Sequence, residues 1–481
     1  MLITSMLWSK GFWGVLIVCV GCATMASAGR QMSGEESEAM LNAIADAVLQ
    51  DTDRKPLTRT VVHPLEPGSP LQFMGREELT RPLLQAYLDR AVVHMFDWGE
   101  RTREFYRDTG AKYVHWADLG WARRYTADDW AMLTAEIDAI HGTDWGADML
   151  FVAGVMEAVC SANTSNTLIP QWLLTILVEE GIQEQRTFGP NGPEYFNYEA
   201  MFDRDADNWP DHFVGLWVQT EDREQGPPDI TMLETQIYYA YLIAEHLDAG
   251  FEGIMFGQAM MTGARDHDNG ALHALCSFAR RWAAERAYRK TVLLTSHIIE
   301  PRDYPKAPHP DAQPLFDLIK WPTRLSYTDE KPFGMHFGPD AEATETRQGG
   351  DEIIALLDLP GDLPILLEID NYGRTFGPST VADGGWDEIT GYAKKPAADR
   401  RAFLRHYYFE TRNWLNRKGN SRVHLALPGN RPIHADTSLD VDDDGEPLPP
   451  VRFYTPFKEK GGDEAVIAEL FEHARNPEDF Q

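Results

Sequence analysis

The stretch LPILLEIDNYG, residues 363–373, decides how the rest of the chain is read. Its apolar residues run straight into Glu368, Ile369, Asp370, Asn371, Tyr372 and Gly373. A continuous apolar run of this length, closed by glycine, predicts a strand buried on both faces. Such strands belong to parallel sheets and barrels, where chemistry gathers at the strand's C-terminal end. Here that end carries Glu368, Asp370, an amide and a tyrosine ring.

Working outward, the same kind of run recurs between helical patterns. Strands are expected at 111–119 (AKYVHWADL), 149–159 (MLFVAGVMEAV), 251–258 (FEGIMFGQ), 291–298 (TVLLTSHI), 315–325 and 422–428 (RVHLALP). Helices are expected at 78–89, 101–109, 126–140, 171–181, 229–249, 271–290, 351–357 and 386–418, the last broken at Pro396. Strands alternating with helices predict an α/β fold with a parallel sheet. No Gly-rich dinucleotide turn follows the first of them. The repeating region, 76–430, has the length of a (β/α)8 TIM barrel with insertions. Residues 182–230 are irregular and rich in Gly, Pro, Asp and Asn, and read as a long insertion. The loop-rich tail, 431–481, packs on the barrel and ends in a helix over 463–474.

The first 28 residues read as an export signal. Lys10 is their only charge, an apolar run follows from Gly11 to Cys22, and Ala26-Ser27-Ala28 fits a small-x-small cleavage site. Cleavage after Ala28 predicts a secreted or periplasmic protein with no stable membrane span; a lipoprotein joined through Cys22 is the minor alternative. Ser33 and Glu36 form a capping box for a helix over 34–50, with Met40, Leu41, Ile44 and Val48 at helical spacing. The polar, proline-bearing stretch 51–70 reads as a linker. Cys160 and Cys276 remain after signal loss, as one bridge or two buried thiols.

The net charge of −31 excludes nucleic acid and anionic membrane as partners, since both attract positive charge. Hydrophobic content of 43% permits a sizeable core.

If the barrel reading holds, the strand ends bring Trp116, Asp118, Glu157, Gln258, His297, Glu368 and Asp370 to one mouth, with Asn371, Tyr372 and Trp386 beside them. Carboxylates, an imidazole, amides and aromatic rings are the inventory of glycoside hydrolysis. One carboxylic acid protonates the leaving oxygen, and a second acts as nucleophile or as base for water. Aromatic faces stack on sugar rings. The expected catalytic pair is Glu157 with Glu368, and Asp370 is the substitute. Counting 149–159 as the second strand and 363–370 as the seventh places the pair three steps apart around the ring. No cofactor and no metal is expected.

Two other readings stand beside this one. A carbohydrate-binding barrel could keep the aromatics without turnover. A metal-dependent hydrolase could use Asp266 and Asp268 with His267, His273 or His297, although no metal spacing matches and a capped loop before a helix accounts for the same residues. Asp440–Gly445 matches the first half of a calcium loop, but Val451 stands where the closing Glu belongs. Glu234 falls in the first turn of a helix, where the dipole alone favours a carboxylate. No G-x-S-x-G elbow stands near a strand end, and no phosphate-binding loop is present.

On GFEGIMFGQ at 250–258, LLEIDNYG at 366–373 and GVMEAV at 154–159, the region 76–430 resembles the secreted glycoside-hydrolase-type TIM barrels. The resemblance lies in the layout. In the large clan of retaining barrel glycosidases an acid/base Glu follows an Asn at the end of the fourth strand, and a nucleophile Glu ends the seventh. The resemblance therefore implies a nucleophile's place for Glu368, while Gln258 stands where the acid is looked for.

Overall fold

The computed structural model describes residues 29–50, 81–119, 124–155, 158–204, 218–219, 224–297, 315–328, 331–336, 363–369, 388–393, 396–417, 423–437 and 451–475. The expected export signal, linker at 51–70, helix at 351–357 and turn at 440–445 lie outside the described residues.

The sequence's alternation becomes a ring of parallel strands. In order these are Ala91–Val93, Tyr113–Leu119, Leu150–Gly154, Gly253–Met255, Leu293–His297, Leu318–Thr328 and Ile365–Ile369. The eighth position is filled by Val423–Leu425 and Leu427–Pro428, two segments separated by Ala426. Each strand pairs in parallel with the next. Val92 then pairs with Leu427 and Val93 with Pro428, which closes the ring. This is the expected (β/α)8 barrel. A hairpin arm, Lys331–His336, folds back on the end of the sixth strand.

The alternation of side chains sorts the core into two compartments. Val93, Leu150, Val152, Met255, Leu293, Leu318, Leu366 and Ala426 share one apolar cluster inside the ring. Val92, Phe151, Leu294, Ile319, Ile365, Leu367 and Ile369 pack outward against the helices. Successive strand residues point to opposite faces, so neighbours in sequence fall in different compartments.

One barrel strand is absent from the sequence reading. Ala91–Val93 is only three residues long and follows a helix without a turn signal. Its presence makes Leu150–Gly154 the third strand, so this strand and the seventh lie four steps apart, directly opposite, instead of three.

The helices form where the periodicity places them. Gly34–Gln50 carries the expected capping box: Ser33 N–H donates to Glu36 Oε2 at 2.9 Å, and Glu36 N–H donates to Ser33 Oγ at 3.2 Å. This helix lies against Gly270–Arg286 through glycine alone at their starts; a Cβ on Gly34 would fall 2.7 Å from the Cα of Gly270. Ala127–His141 opens with a second capping box, Thr126 with Asp129. Within 182–230 the described residues form two short 3-10 turns and the strands Val218–Gln219 and Glu224–Gly226. In the tail, Glu464–Arg475 is the expected terminal helix. The buried carboxylate of Asp463 accepts from Tyr392 Oη at 2.7 Å, Tyr454 Oη at 2.9 Å and Arg400 Nε at 3.0 Å, which ties the tail to the barrel's last helices.

Candidate active site

Polar groups occupy both ends of the barrel, with different consequences. At the N-terminal end, Glu252 accepts from Phe151 N–H at 3.1 Å and Arg289 Nε at 2.9 Å, and lies 3.3 Å from His141 Nε2. Lys112 and Asp148 pair there too, with Tyr87 Oη donating to Asp148 at 3.2 Å. These groups precede their strands and face helices, and they fasten the wall.

At the C-terminal end the inward positions change from apolar to charged. Two residues past Leu318 comes Lys320, and two past Leu366 comes Glu368. The register sets Lys320 beside Leu366 on one side and beside His297 on the other. Glu368 therefore stands one layer nearer the mouth, and the lysine stem extends to meet it. The two form an ion pair in which both side chains are fully buried, 0% exposed. Taking two charges out of water costs several kcal/mol per ion, so the pair persists only with close geometry and further polar contacts. Lys320 also places its Nζ 4.2 Å from the ring centroid of Trp116, on the opposite side of the barrel. A cation over an indole face is favourable, more so when water is excluded.

Trp116 reaches the axis because its strand bulges. The register between the second and third strands shifts from Val114↔Phe151 to Asp118↔Ala153, so four residues advance against two. Trp116 has φ +59° within the bulge, and His94, just past the first strand, has φ +60°. Non-glycine residues in the left-handed region cost on the order of 1–3 kcal/mol each and gather at functional sites. The two rings meet at 4.7 Å. The indole also lies across Gly154, where a Cβ would fall 2.0 Å from Trp116 Nε1. Tyr113 and His115 stack below, their Oη and Nδ1 3.0 Å apart.

Of the residues read from the sequence as the mouth, Glu368, Trp116 and His297 converge around Lys320. His297 is 5% exposed, and its N–H donates to Gly257 O at 2.7 Å, which joins the fourth and fifth strand ends. Gln258 begins the short helical turn after the fourth strand and is half-buried. Asp118 is a correction. The bulge turns it outward, where Tyr125 Oη donates to it at 2.5 Å and His246 Nε2 lies 3.2 Å away, on the helix Leu233–Ala249. Trp116 is 5% exposed, with the Lys320 ammonium over its ring. Glu157, Asp370, Asn371, Tyr372 and Trp386 lie outside the described residues.

The loop considered for a metal is a helix cap. Asp266 accepts from Ala271 N–H at 3.2 Å and Leu272 N–H at 2.8 Å, and Asp268 from Gly270 N–H at 3.1 Å. Among the described residues no group of three or more His, Cys, Asp or Glu is placed to hold a metal ion. Cys160 and Cys276 are separate, buried and unbridged. Glu234 takes a structural place, its Oε1 2.7 Å from Nη2 and its Oε2 2.9 Å from Nε of the buried Arg186. Among the described residues no helix is long and apolar enough to cross a membrane.

Lys320 is the buried cation at this end of the barrel that the sequence reading missed. Its signal was a lone cation inside the apolar run LFDLIKW, at a position that alternation turns inward.

No family model matches the chain, and no curated protein matches it. Among solved structures the chain is similar to the Nostoc punctiforme debranching enzyme. Against its acarbose-soaked form the TM-score is 0.38 at 10% identity, over 78% of this chain and 70% of that one. Against the native form the TM-score is 0.37 at 9% identity, over 78% and 69%. At this degree of likeness the fold assignment stands on the closed strand pairing alone.

Proposed function

We propose that this chain is an exported glycoside-hydrolase-like barrel that acts on a poly- or oligosaccharide at the C-terminal ends of its strands. One observation carries the reading: Glu368 ends the seventh strand pointing into the barrel, with a buried cation against it. A positive charge beside a carboxylate favours its ionised form, against the opposing effect of burial. That suits the nucleophile of a retaining reaction or the base of an inverting one, and does not suit the acid that protonates the leaving oxygen. Glu157 and Asp370 are the proposed sources of the second carboxyl. The strained backbone at His94 and Trp116 supports a worked site at this end.

A second reading, a barrel that binds carbohydrate without turnover, is favoured by the complete burial of Glu368. One experiment separates them. The purified chain and its Glu368→Gln variant are assayed for reducing-sugar release on a panel of polysaccharides, with binding followed by calorimetry. Release that disappears in Glu368→Gln supports the hydrolase. Binding without release, equal in both, supports the binder. Neither binding nor release on any glycan sinks the carbohydrate reading.

A further inference from the structure

The sixth strand carries a cation just above the apolar part of the barrel interior, and its partners define its task. Lys320 is fully buried, and its stem starts between Leu366 and His297 in the register. Its charge ends between Glu368 and the face of Trp116. The indole is fixed in turn by Gly154 below and His94 beside it. A surface lysine can hydrate its ammonium and move away. This one is buried away from water, and Glu368 is an anionic partner of its charge.

We infer that Lys320 is a positioning residue that keeps Glu368 ionised in the dry barrel mouth, confining Glu368 to nucleophilic or charge-stabilising work. The catalytic half of this inference rests on the glycosidase reading; the ionisation half does not. In a retaining reaction a Glu368 oxygen would bond to the anomeric carbon as the glycosidic C–O bond breaks. The leaving oxygen would take its proton from a different carboxyl, and water would later restore Glu368. Lys320 would hold the carboxylate's charge and angle and would transfer no proton.

Other titratable groups border the site. His297 lies on the fifth strand beside Lys320. His94 and His115 stand at the first and second strand ends, and His115 pairs with Tyr113. On the eighth strand, His424 Nδ1 faces Asp89 at 2.8 Å, towards the other end of the barrel. Of the charged contacts described, the ion pair with Lys320 is the one that reaches the Glu368 carboxylate.

The test reads Glu368 directly. The full chain is labelled with carboxyl-13C glutamate, and its Glu368 signal is assigned by loss in Glu368→Gln. In the unaltered chain the signal stays at the ionised position from about pH 7 to about pH 4, below the ordinary glutamate midpoint. In Lys320→Met it moves to the protonated position at about pH 7, because burial favours the neutral carboxyl once the Lys320 charge is removed. Lys320→Arg keeps the ionised position.

A Glu368 that stays ionised at neutral pH in Lys320→Met, or that titrates in the ordinary glutamate range in the unaltered chain, overturns the inference. Should Lys320→Met fail to fold, Lys320→Gln and the titration of the unaltered chain decide. If glycan turnover is present, Lys320→Met lowers kcat/KM on the order of 10²-fold and moves the acid limb of its pH profile upward. If turnover is absent from the unaltered chain while the carbon signal behaves as stated, the glycosidase reading fails and the ionisation role of Lys320 stands.

Discussion

Lys320 and Trp116 stand on strands at opposite sides of the barrel, yet the ammonium lies 4.2 Å from the indole centre. The lysine and the indole thus meet above the apolar interior, and the ring that receives the charge lies against Gly154.

That contact makes Gly154→Ala a sensitive change. The added methyl would occupy the space of the indole edge, so the ring must shift and the cation loses its seat. A stability loss on the order of 1–3 kcal/mol is expected from overpacking. The check is the 5-fluorotryptophan NMR line of Trp116, assigned with Trp116→Phe; an unmoved line in Gly154→Ala would contradict the packing described.

Arg186 and Glu234 form a buried bidentate pair between the insertion and a barrel helix. Arg186→Leu strands a buried carboxylate and should cost on the order of 3–5 kcal/mol. The double change Arg186→Leu with Glu234→Leu should recover much of this. Urea unfolding midpoints of the three chains provide the comparison, and equal losses for the single and double variants would refute it.

Gly34→Val places a branched side chain against the Gly270 backbone. The N-terminal helix should then part from its neighbour, at a cost on the order of 1–3 kcal/mol. Limited proteolysis is expected to cut within 34–50 in the variant and to spare it in the unaltered chain.

Burial raises the carboxyl of Asp266 above the ordinary aspartate range, opposed by the N–H groups of Leu272 and Ala271 and assisted by Asp268. The folded state therefore binds this proton more tightly than the unfolded chain does. The contribution of Asp266 to stability is full below the unfolded aspartate midpoint, near pH 4, and declines as pH rises through the folded midpoint. Relative to Asp266→Asn, the unaltered chain should gain stability from about pH 7 down to about pH 4. Unfolding free energies at the two pH values settle it, and an advantage that shrinks on acidification would be the contrary result.

Burial also pushes the Cys276 thiol up to about 12. The thiolate is the reactive form, so iodoacetamide at about pH 8 should leave Cys276 unlabelled until the chain is denatured. Cys160, buried and unbridged, should behave alike by enclosure. Peptide mass spectrometry before and after denaturation gives the answer, and native labelling of either would count against the packing.

The fold was legible wherever an element had length and punctuation. The run into Glu368, the capping box at Ser33, and the helical patterns over 126–140 and 229–249 all predicted elements that the structure contains. Ala91–Val93 escaped because three residues cannot display a period. The site was legible in outline only. Alternation along a regular strand cannot foresee a bulge, so Trp116 and Asp118 were assigned to one mouth although the chain turns them apart. Lys320 was hidden for the opposite reason: its strand is regular, but a cation in an apolar run reveals its partner only when the neighbouring strand is in register.

The strand that completes the ring is the last to be synthesised. Until Leu427 and Pro428 emerge, Ala91–Val93 lacks one neighbour, and Ile365–Leu367 lacks Val423–Leu425. Every partial chain thus exposes two open strand edges, which invite pairing with other molecules. Contacts so distant along the chain also form slowly. The nascent barrel is therefore expected to depend on chaperones until its end is released, and truncations before residue 423 are expected to aggregate instead of giving a smaller folded barrel.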